Sequence, residues 1–372
     1  MQNGNIVLYK IVHMFKIITR IALLLYGSIL ISSGCKRICE QDFFVSQLSV
    51  KEISSIGEIH LKESFVTKAN VPMSAIVDSL MISIDRSNQS YMYSVSNIHN
   101  DTLLGTFCRR GRSRNEVLDC LPIMNTFTNC EGDLCTIVFS FGDGRLFLWN
   151  ITKSLATSSD VYENIIHLQN DENWFPFFSG YHLNDTSVIV RNSNQHRSCI
   201  SCEVPRYEVY SINTGELLHH YDVFKPVEFE TNNPIYTSRS FFGCTDCVKP
   251  DKTKIAIGMG HMPVFAILDL HTGNCNGFRI KDLMRFSPYE RIWHFCSLVS
   301  DDQFIYALYY GGDISDPTSE RHSSTLFVLD WDGQIKSRYV LDRYVTELKL
   351  SNGVLYLTHT DDVVHFLQTT DL

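Results

Sequence analysis

The chain has 372 residues and a formal net charge of −9, with 44% hydrophobic and 20% charged residues. This composition is typical of a globular protein. The acidic balance argues against a nucleic-acid-binding surface, which needs clustered Lys and Arg to displace counterions from phosphates. The 23 Phe and 17 Tyr residues favour strands, whose pleated surface suits aromatic side chains, so the sequence predicts an all-β fold.

Residues 1–34 predict a targeting signal that does not belong to the fold. Lys10, Lys16 and Arg20 precede an apolar run over residues 21–31, and no acidic residue occurs before Glu40. The run is too short for an ordinary membrane span. Because the segment carries three positive charges and no negative one, its removal would leave a more acidic mature protein.

Cys35 is the candidate lipid attachment site. The small residues Ser32-Ser33-Gly34 precede it, and this resembles a bacterial lipobox, in which the cysteine sulfur is diacylated and the chain is cut just before it. We therefore expect a tether over residues 35–47 and a protein anchored through lipid in the cell envelope, on the periplasmic or surface side of the outer membrane. A plain secretory signal and an uncleaved signal anchor remain open alternatives. Met14 is a better start than Met1, because it gives a signal of conventional length.

One phrase recurs beyond residue 70: an apolar strand, a tight polar turn and another strand. Its clearest copies lie at 210–215 (YSINTG) and 268–273 (LDLHTG). The copies align on positions spaced by 56, 61, 58 and 61 residues, namely Val95, Ile151, Ile212, Leu270 and Trp331. Units of this length, with about four strands each, are typical of propeller blades.

Each unit divides into strands a to d, with the Thr-Gly turn joining c to d. In the third unit the expected strands are 177–182, 187–190, 208–212 and 216–221. The last unit offers three strands, over 345–350, 354–358 and 363–368. We expect residues 48–61 to supply the fourth, because a ring closed by an N-terminal strand leaves no exposed sheet edge. The sequence thus predicts a six-bladed β-propeller over residues 48–372, with four-stranded antiparallel blades.

Two stretches resemble a known family. Residues 78–85 (DSLMISID) lead through Tyr93-Ser94-Val95 to the loop from Cys108 to Glu116, and this resembles the opening blade of the TolB-like six-bladed propeller lipoproteins of Bacteroidetes. In that family the loop follows the phrase FGxxGxGPxE; here Cys108 stands at the first glycine and Ser113-Arg114 at the Gly-Pro pair. Residues 327–333 (FVLDWDG) with Leu341-Asp342 are similar to the family's last-blade phrase. The resemblance implies the propeller fold but no activity, because the family has no established common one.

The twelve cysteines include two CxxC pairs, Cys199/Cys202 and Cys244/Cys247, that resemble halves of a tetrahedral zinc site. In a propeller the first pair would lie in the b to c loop of the third blade and the second on strand a of the fourth, towards the opposite face. Local disulfides or free thiols are therefore favoured, and no metal site is predicted. Cys130 and Cys135 flank a turn and would either close a hairpin as a disulfide or remain buried thiols.

The candidate ligand-facing residues lie in, or directly before, the two long b to c loops at 192–205 and 311–324. They are Arg191, His196, Asp313, Asp316, Glu320 and His322. The acidic ones have hard oxygen ligands that would suit calcium, although a solvated acidic loop is commoner. The basic run Arg109, Arg110, Arg112 and Arg114 is, by the same reasoning, expected to be a solvated loop.

No catalytic residue or cofactor is predicted, because the sequence contains no nucleophile elbow and no recognisable triad. We therefore expect a non-enzymatic, monomeric binding or scaffolding module, whose funnel takes an unidentified glycan, peptide or protein. The alternative is a propeller hydrolase or lyase that acts on an extracellular polymer. A cytosolic WD-repeat scaffold, suggested by Leu148-Trp149-Asn150, conflicts with the signal and with the repeat length of about 60 residues.

Overall fold

The structure is a computed structural model that describes residues 38–53, 55–61, 63–67, 74–118, 120, 125–140, 144–168, 177–192, 204–227, 241–283, 286–290, 292–313, 323–358 and 363–372. The chain divides between Cys39 and Glu40, and every element below belongs to the unit from Glu40 to Leu372. In this unit the described strands form six small antiparallel sheets in a ring, so the predicted six-bladed β-propeller is confirmed.

Three short strands come first in the chain, after a 3-10 turn over Glu40–Phe43. They are β1 (Ser49–Lys51), β2 (Ile56–Ile59) and β3 (Glu63–Val66). We call the described part of residues 40–66 the N-terminal strap.

Blades 1 to 3 follow in chain order, each with its first strand at the ring axis and its fourth strand outermost. Blade 1 holds β4 (Ser74–Val77), β5 (Leu80–Ile84), β6 (Tyr91–Asn97) and β7 (Leu103–Arg109). Blade 2 holds β8 (Thr126–Thr128), β9 (Leu134–Ser140), β10 (Arg145–Asn150) and β11 (Tyr162–His167). Blade 3 holds β12 (Phe177–Asn184), β13 (Ser187–Asn192), β14 (Arg206–Ser211) and β15 (Leu217–Tyr221).

Blades 4 to 6 take strands from both ends of the described chain. Blade 4 holds β16 (Cys244–Val248), β17 (Lys254–Met259), β18 (Val264–Asp269) and β19 (Cys275–Ile280). Blade 5 holds β20 (Ile292–Ser300), β21 (Phe304–Asp313), β22 (Thr325–Asp330) and β23 (Ile335–Leu341). Blade 6 holds β24 (Glu347–Ser351), β25 (Val354–Thr358), β26 (Val363–Gln368) and, outermost, β3.

The N-terminal strap runs along the outside of blades 4, 5 and 6. β1 pairs in parallel with β19, and β2 pairs in parallel with β23. β3 then pairs antiparallel with β26 and completes blade 6. An N-terminal strand therefore closes the ring as predicted, but it is Glu63–Val66 and not a strand within 48–61. The two strands of that earlier segment instead cover the outer edges of two other blades, where unpaired backbone groups would otherwise face solvent.

Phe43 and Phe44 fix the start of the strap. Both side chains are fully buried. The Phe43 ring lies 5.4 Å from the ring of Phe286 and 5.5 Å from that of Phe242, in edge-on geometry, and Phe44 packs in the same way on Phe224 at 5.4 Å. Edge-on aromatic pairs add to the stabilisation that burial alone gives. The strap is thus anchored by aromatic packing before its first strand begins.

The middle strands of the blades are buried on both faces, because a neighbouring blade covers each side. Every residue of β10 and of β13 is buried, which explains why their sequences are apolar runs without strict alternation. Between blades 4 and 5 the ring of Phe295 lies 5.5 Å from Phe265 and 6.3 Å from Phe327. Truncating one buried Phe to Ala costs about 3–5 kcal/mol, so this interblade packing is a major source of stability.

The connection between β10 and β11 contains α1 (Ile151–Thr157), where the repeat aligned on Ile151 predicts a tight turn. The Asn150 side chain caps this helix by accepting a hydrogen bond from the Lys153 amide at 2.8 Å. Ser158 ends it in the left-handed conformation, with a φ of 54°. Trp149 Nε1 donates to Ser154 Oγ at 2.9 Å, which ties the helix to the strand before it. A good cap and this buried bond make the longer connection stable.

Candidate functional site

A cavity of about 340 Å³ lies on the axis of the ring. All six innermost strands line it, together with one residue of β13. The lining residues used below are Asn125, Ser179, Tyr181, Arg191, Cys244, Asp246, Cys296, Ser297, Glu347, Leu348 and Lys349. Hydroxyl, amide and charged groups from six different strands therefore converge on one space, which we call the axial channel.

Asp246 forms the most densely bonded group in the wall of the axial channel. Its carboxylate accepts hydrogen bonds from Ser179 Oγ and Tyr181 Oη at 2.8 Å and from Tyr207 Oη at 2.7 Å. The Nε atom of Arg191 donates to the same carboxylate at 2.8 Å. These four donors come from blade 3, whereas Asp246 belongs to blade 4. The cluster thus fixes the relative position of two blades at the channel wall.

Burial sets the electrostatics of this cluster. The side chains of Arg191 and Asp246 are 5% and 3% exposed. Burial, reinforced by the Asp246 carboxylate, raises the pKa of Tyr181 and of Tyr207 well above the usual range, so both phenols remain donors. A buried charge is tolerated when it is paired and fully hydrogen-bonded. Asp246 meets this condition, because four donors surround its carboxylate, and we interpret it as a structural group.

Glu347 and Lys349 supply the accessible charges of the channel. They lie two residues apart on β24 and so share one face, with Lys349 Nζ 2.9 Å from Glu347 Oε2. Burial raises the pKa of Glu347, and the ammonium of Lys349 offsets part of that rise. The Oε2 atom is buried and held by this ion pair. Because Glu347 lines the channel, its carboxylate can still accept from a donor that enters the channel.

Two thiols, those of Cys244 and Cys296, also line the channel. Burial raises the pKa of each to about 12, so both are protonated at neutral pH. Cys247 is three residues from Cys244 on β16 and lies on the opposite face of the strand, within the core shared with blade 5. These two sulfurs cannot bind one metal, and Cys199 and Cys202 lie outside the described residues.

Side-chain hydrogen bonds connect the inner strands of successive blades. Asn125 Nδ2 donates to the Gly180 carbonyl at 2.7 Å, which joins blade 2 to blade 3. Ser297 Oγ accepts from the Leu348 amide at 3.0 Å and joins blade 5 to blade 6. Ser351 Oγ accepts from the Asp78 amide at 2.8 Å and joins blade 6 to blade 1. The channel wall is therefore organised before any ligand arrives, which lowers the entropic cost of binding.

Two of the predicted ligand-facing residues lie in the described part of the chain. Arg191 is within β13 rather than in the loop after it, and its guanidinium is committed to Asp246 and to the Cys244 carbonyl. Asp313 is the exposed last residue of β21 and does not line the channel. His196, Asp316, Glu320 and His322, like Cys35, lie outside the described residues. The structure does not bring Arg191 and Asp313 into one site.

Sequence reasoning missed Asp246, Glu347 and Lys349. Asp246 lies inside the CTDC motif that the sequence marked only for its cysteines. A charged residue in the middle of a strand is a usable signal, because burying it requires a partner. Glu347 and Lys349 carry the same signal, since they are an alternating charged pair inside the apolar strand β24.

The part of the chain that the structure describes contains no group of three or more His, Cys, Asp or Glu residues arranged to hold a metal ion. Within the same part, no helix has the length and apolar character needed to cross a membrane.

Six four-stranded blades around a polar axial channel define this molecule as a six-bladed β-propeller. No protein-family model and no curated protein matches the chain. Among solved structures it is similar to a member of the duf4221 family from Bacteroides vulgatus, with 11% identity and a TM-score of 0.57 over 83% of this chain and 96% of that one. BamB from Moraxella catarrhalis has 13% identity and a TM-score of 0.36 over 79% of this chain and 81% of that one. The first similarity supports the propeller fold; at this identity it shows the fold alone.

Proposed function

We propose that the protein is a binding module that takes a polar ligand in the axial channel. The carrying observation is that all six inner strands place polar groups around one cavity of about 340 Å³. Small-molecule sites usually have volumes of about 300–1,000 Å³ and a few fixed polar groups. The channel meets both conditions, because hydrogen bonds between the blades hold its wall in place.

The balance of charge in the channel favours a ligand without net charge. Arg191 and Asp246 neutralise each other, and so do Lys349 and Glu347. What remains for a ligand is a set of hydroxyl and amide groups together with the carboxylate of Glu347. A sugar, or the polar backbone of a peptide, offers the matching donors and acceptors. We therefore favour a glycan or peptide ligand over an ion.

The proposed location is the bacterial cell envelope, with Cys35 as the lipid-bearing residue and the protein acting as a monomer. Two observations support this location. In the first 35 residues, basic residues are followed by an apolar run and then by small residues before Cys35, as in a lipoprotein signal. The chain also resembles TolB-like propeller lipoproteins. In a membrane fractionation, the Cys35→Ala variant is expected to move from the membrane to the soluble fraction. Retention of this variant in the membrane would contradict the anchor.

Binding of the full-length protein across a glycan and peptide array tests the proposal, with metal ions added and chelated in parallel. A saturable ligand should lose at least about tenfold in affinity in Glu347→Gln, since a charged acceptor contributes more than about 1.4 kcal/mol to a buried hydrogen bond. The matched control is Glu58→Gln, an exposed residue of β2. If both variants bind like the wild type, the ligand does not occupy the channel. Consumption of an array ligand would instead support the hydrolase or lyase alternative.

A further inference from the structure

The loop that follows β7 concentrates positive charge on an acidic protein. Residues 109–116 contain four arginines and one glutamate, whereas the whole chain has a net charge of −9. We call these residues the arginine loop. Such a local excess of guanidinium groups creates a local positive potential.

The arginine loop is held in a fixed conformation by its own backbone. The Val117 amide donates to the Arg109 carbonyl at 2.8 Å, and the Gly111 amide donates to the Val117 carbonyl at 3.1 Å. At its start, Cys108 has a φ of 60°, a left-handed conformation that glycine adopts without strain. This is the position where the TolB-like phrase has its first glycine. Because the two ends of the loop are bonded together, its side chains stay close in space.

Arg145 supports the loop from blade 2. Its guanidinium donates to the carbonyls of Ser113, Arg114 and Glu116, at 3.2, 2.6 and 2.9 Å. The Glu116 carboxylate turns back and accepts from the Ser113 amide at 2.9 Å. Both charged side chains are therefore used to shape the loop. The sequence predicted only a solvated loop, and this prediction is incomplete, because hydrogen bonds fix the conformation of the loop.

The four arginines have two different roles. Arg110 is structural, since its guanidinium donates to the carbonyls of Asp85, Asn88 and Tyr91. Arg109, Arg112 and Arg114 are exposed. Within the described part of the chain none of these three forms an ion pair. Three guanidinium groups are therefore presented to solvent from one rigid loop.

A cavity of about 490 Å³ adjoins the arginine loop. Arg114 and Asn115 line one side, and Asp160 and His167 belong to the part of blade 2 that lines the other. Asp160 is the one carboxylate among the lining residues, and it already accepts from the Cys108 and Arg109 amides at 2.7 and 2.9 Å. Asn115 and His167 are exposed and offer hydrogen-bonding groups next to the arginines.

We propose that the arginine loop and the adjoining cavity bind a polysaccharide that carries sulfate or phosphate groups. Exposed guanidinium groups pair with such oxyanions in a bidentate way. The cavity, with Asn115 and His167, gives a neighbouring sugar ring space and hydrogen-bond partners. This site is separate from the axial channel and shares no residue with it, so either site can fail its test without the other.

The test compares binding of the full-length protein to immobilised dextran sulfate and to neutral dextran. The loop variant is R109Q/R112Q/R114Q, and the matched control K281Q/K336Q/R343Q removes the same charge from exposed residues elsewhere on the ring. The wild type should bind dextran sulfate in a salt-sensitive manner and should not bind dextran. The loop variant should lose at least about tenfold in affinity, because it loses several charge-assisted hydrogen bonds, and the control should lose less than about threefold.

Equal losses in the two triple variants would overturn the proposal, because binding would then follow overall charge. Absence of wild-type binding to dextran sulfate, or equal binding to dextran, would overturn it as well. Phosphatidylglycerol vesicles and duplex DNA are tested in the same way. If either binds through the arginine loop as tightly as dextran sulfate does, the loop recognises polyanions in general, and the proposal of a polysaccharide ligand is wrong. All three substituted residues are exposed, so an unchanged melting temperature is expected and confirms that the loop variant is folded.

Discussion

The Nε atom of Arg191 lies 2.8 Å from Oδ2 of Asp246, and both side chains are almost fully buried. The pair joins β13 of blade 3 to the inner strand of blade 4, at the wall of the axial channel. Since three hydroxyl groups complete the shell of the carboxylate, the pair is a structural centre on which the shape of the channel depends.

Replacing Asp246 by Asn should destabilise the protein strongly. The variant leaves the Arg191 guanidinium buried without a counter-charge, and breaking a buried ion pair in this way costs about 3–5 kcal/mol. Urea unfolding at pH 7 measures the free energy of unfolding. Asp332→Asn is the matched control, because Asp332 is 83% exposed and its pair with Lys254 is worth at most about 1 kcal/mol.

A second comparison separates two contributions to this destabilisation, the unpaired charge of Arg191 and the lost hydrogen bonds of Asp246. R191M/D246N removes both charges and keeps an amide oxygen as acceptor for the surrounding hydroxyl groups, so it should be less destabilised than Asp246→Asn. If Asp246→Asn costs no more than Asp332→Asn, the cluster does not hold the two blades together.

His294 should make the fold sensitive to acid. Burial, with a further contribution from His261, lowers the pKa of His294 to about 3, whereas a histidine in the unfolded chain titrates near about 6.5. As the pH falls below 6.5, His294 becomes protonated in the unfolded chain but stays neutral in the native state. The free energy of unfolding therefore falls by about 1.4 kcal/mol per pH unit until the pH approaches 3. Above about pH 6.5 this residue carries no such penalty.

Urea unfolding at several pH values between 4 and 7 tests this prediction, by comparing the free energy of unfolding of the wild type with that of a His294 variant. Going from pH 7 to pH 4, the wild type should lose about 3 kcal/mol more than His294→Gln. His99→Gln is the control, since His99 is exposed. A pH dependence that is the same in the wild type and in His294→Gln would show that His294 accepts a proton in the folded protein.

The blade repeat was readable from the sequence because strands and turns leave local patterns. In blade 3 the predicted strands 187–190 and 208–212 overlap the observed β13 and β14. The alignment was displaced in blade 1, however. In blades 1, 3 and 4 the residue directly after strand c donates its backbone amide to a carbonyl of the a to b turn. This residue is Ile212 in blade 3, Leu270 in blade 4 and Ile98 in blade 1. Ile98 lies three positions after Val95, the residue on which the sequence alignment was based. In the turn from c to d, blade 1 has Asp101, with a φ of 53°, where blades 3 and 4 have Gly215 and Gly273, so the Thr-Gly phrase that guided the alignment was missing.

The strap and the candidate site were less predictable, for a physical reason. A short strand covers one blade edge rather than another because of long-range pairing. β1 and β2 are short and mostly exposed, so their sequences contain no hydrophobic pattern from which the partner strand could be predicted. The channel likewise depends on six strands that are far apart in sequence. Asp246 became a structural centre only when blade 3 placed Tyr181, Arg191 and Tyr207 beside it.

The cysteines of the β8–β9 hairpin should differ in reactivity. Both thiols are free in the structure, with Cys130 exposed in the turn and Cys135 buried in β9. Burial raises the pKa of Cys135 to about 12, so it lacks the thiolate that alkylation requires. Iodoacetamide labelling at pH 7.5, followed by mass spectrometry, should modify Cys130 in the native protein and Cys135 only after unfolding. Protection of both until a reductant is added would instead demonstrate the hairpin disulfide.

Phe43 should control whether the strap remains on the ring. Its ring is fully buried against Phe241, Phe242 and Phe286, so Phe43→Ala removes a packed aromatic group at a cost of about 3–5 kcal/mol. Val45→Ala is the control, because Val45 is 58% exposed. Since the strands of the strap are short and mostly exposed, we expect the loss to appear first as local opening and not as unfolding of the ring.

Native-state hydrogen exchange distinguishes these two modes of opening. In Phe43→Ala the amides that pair β1 with β19 should exchange much faster than in the wild type, while those of β17 and β18 in the same blade should keep most of their protection. Uniform acceleration across blade 4 would mean that the strap and the ring unfold together. Unchanged exchange at β1 would mean that the strand pairing, and not the Phe43 anchor, holds the strap on the outer edge.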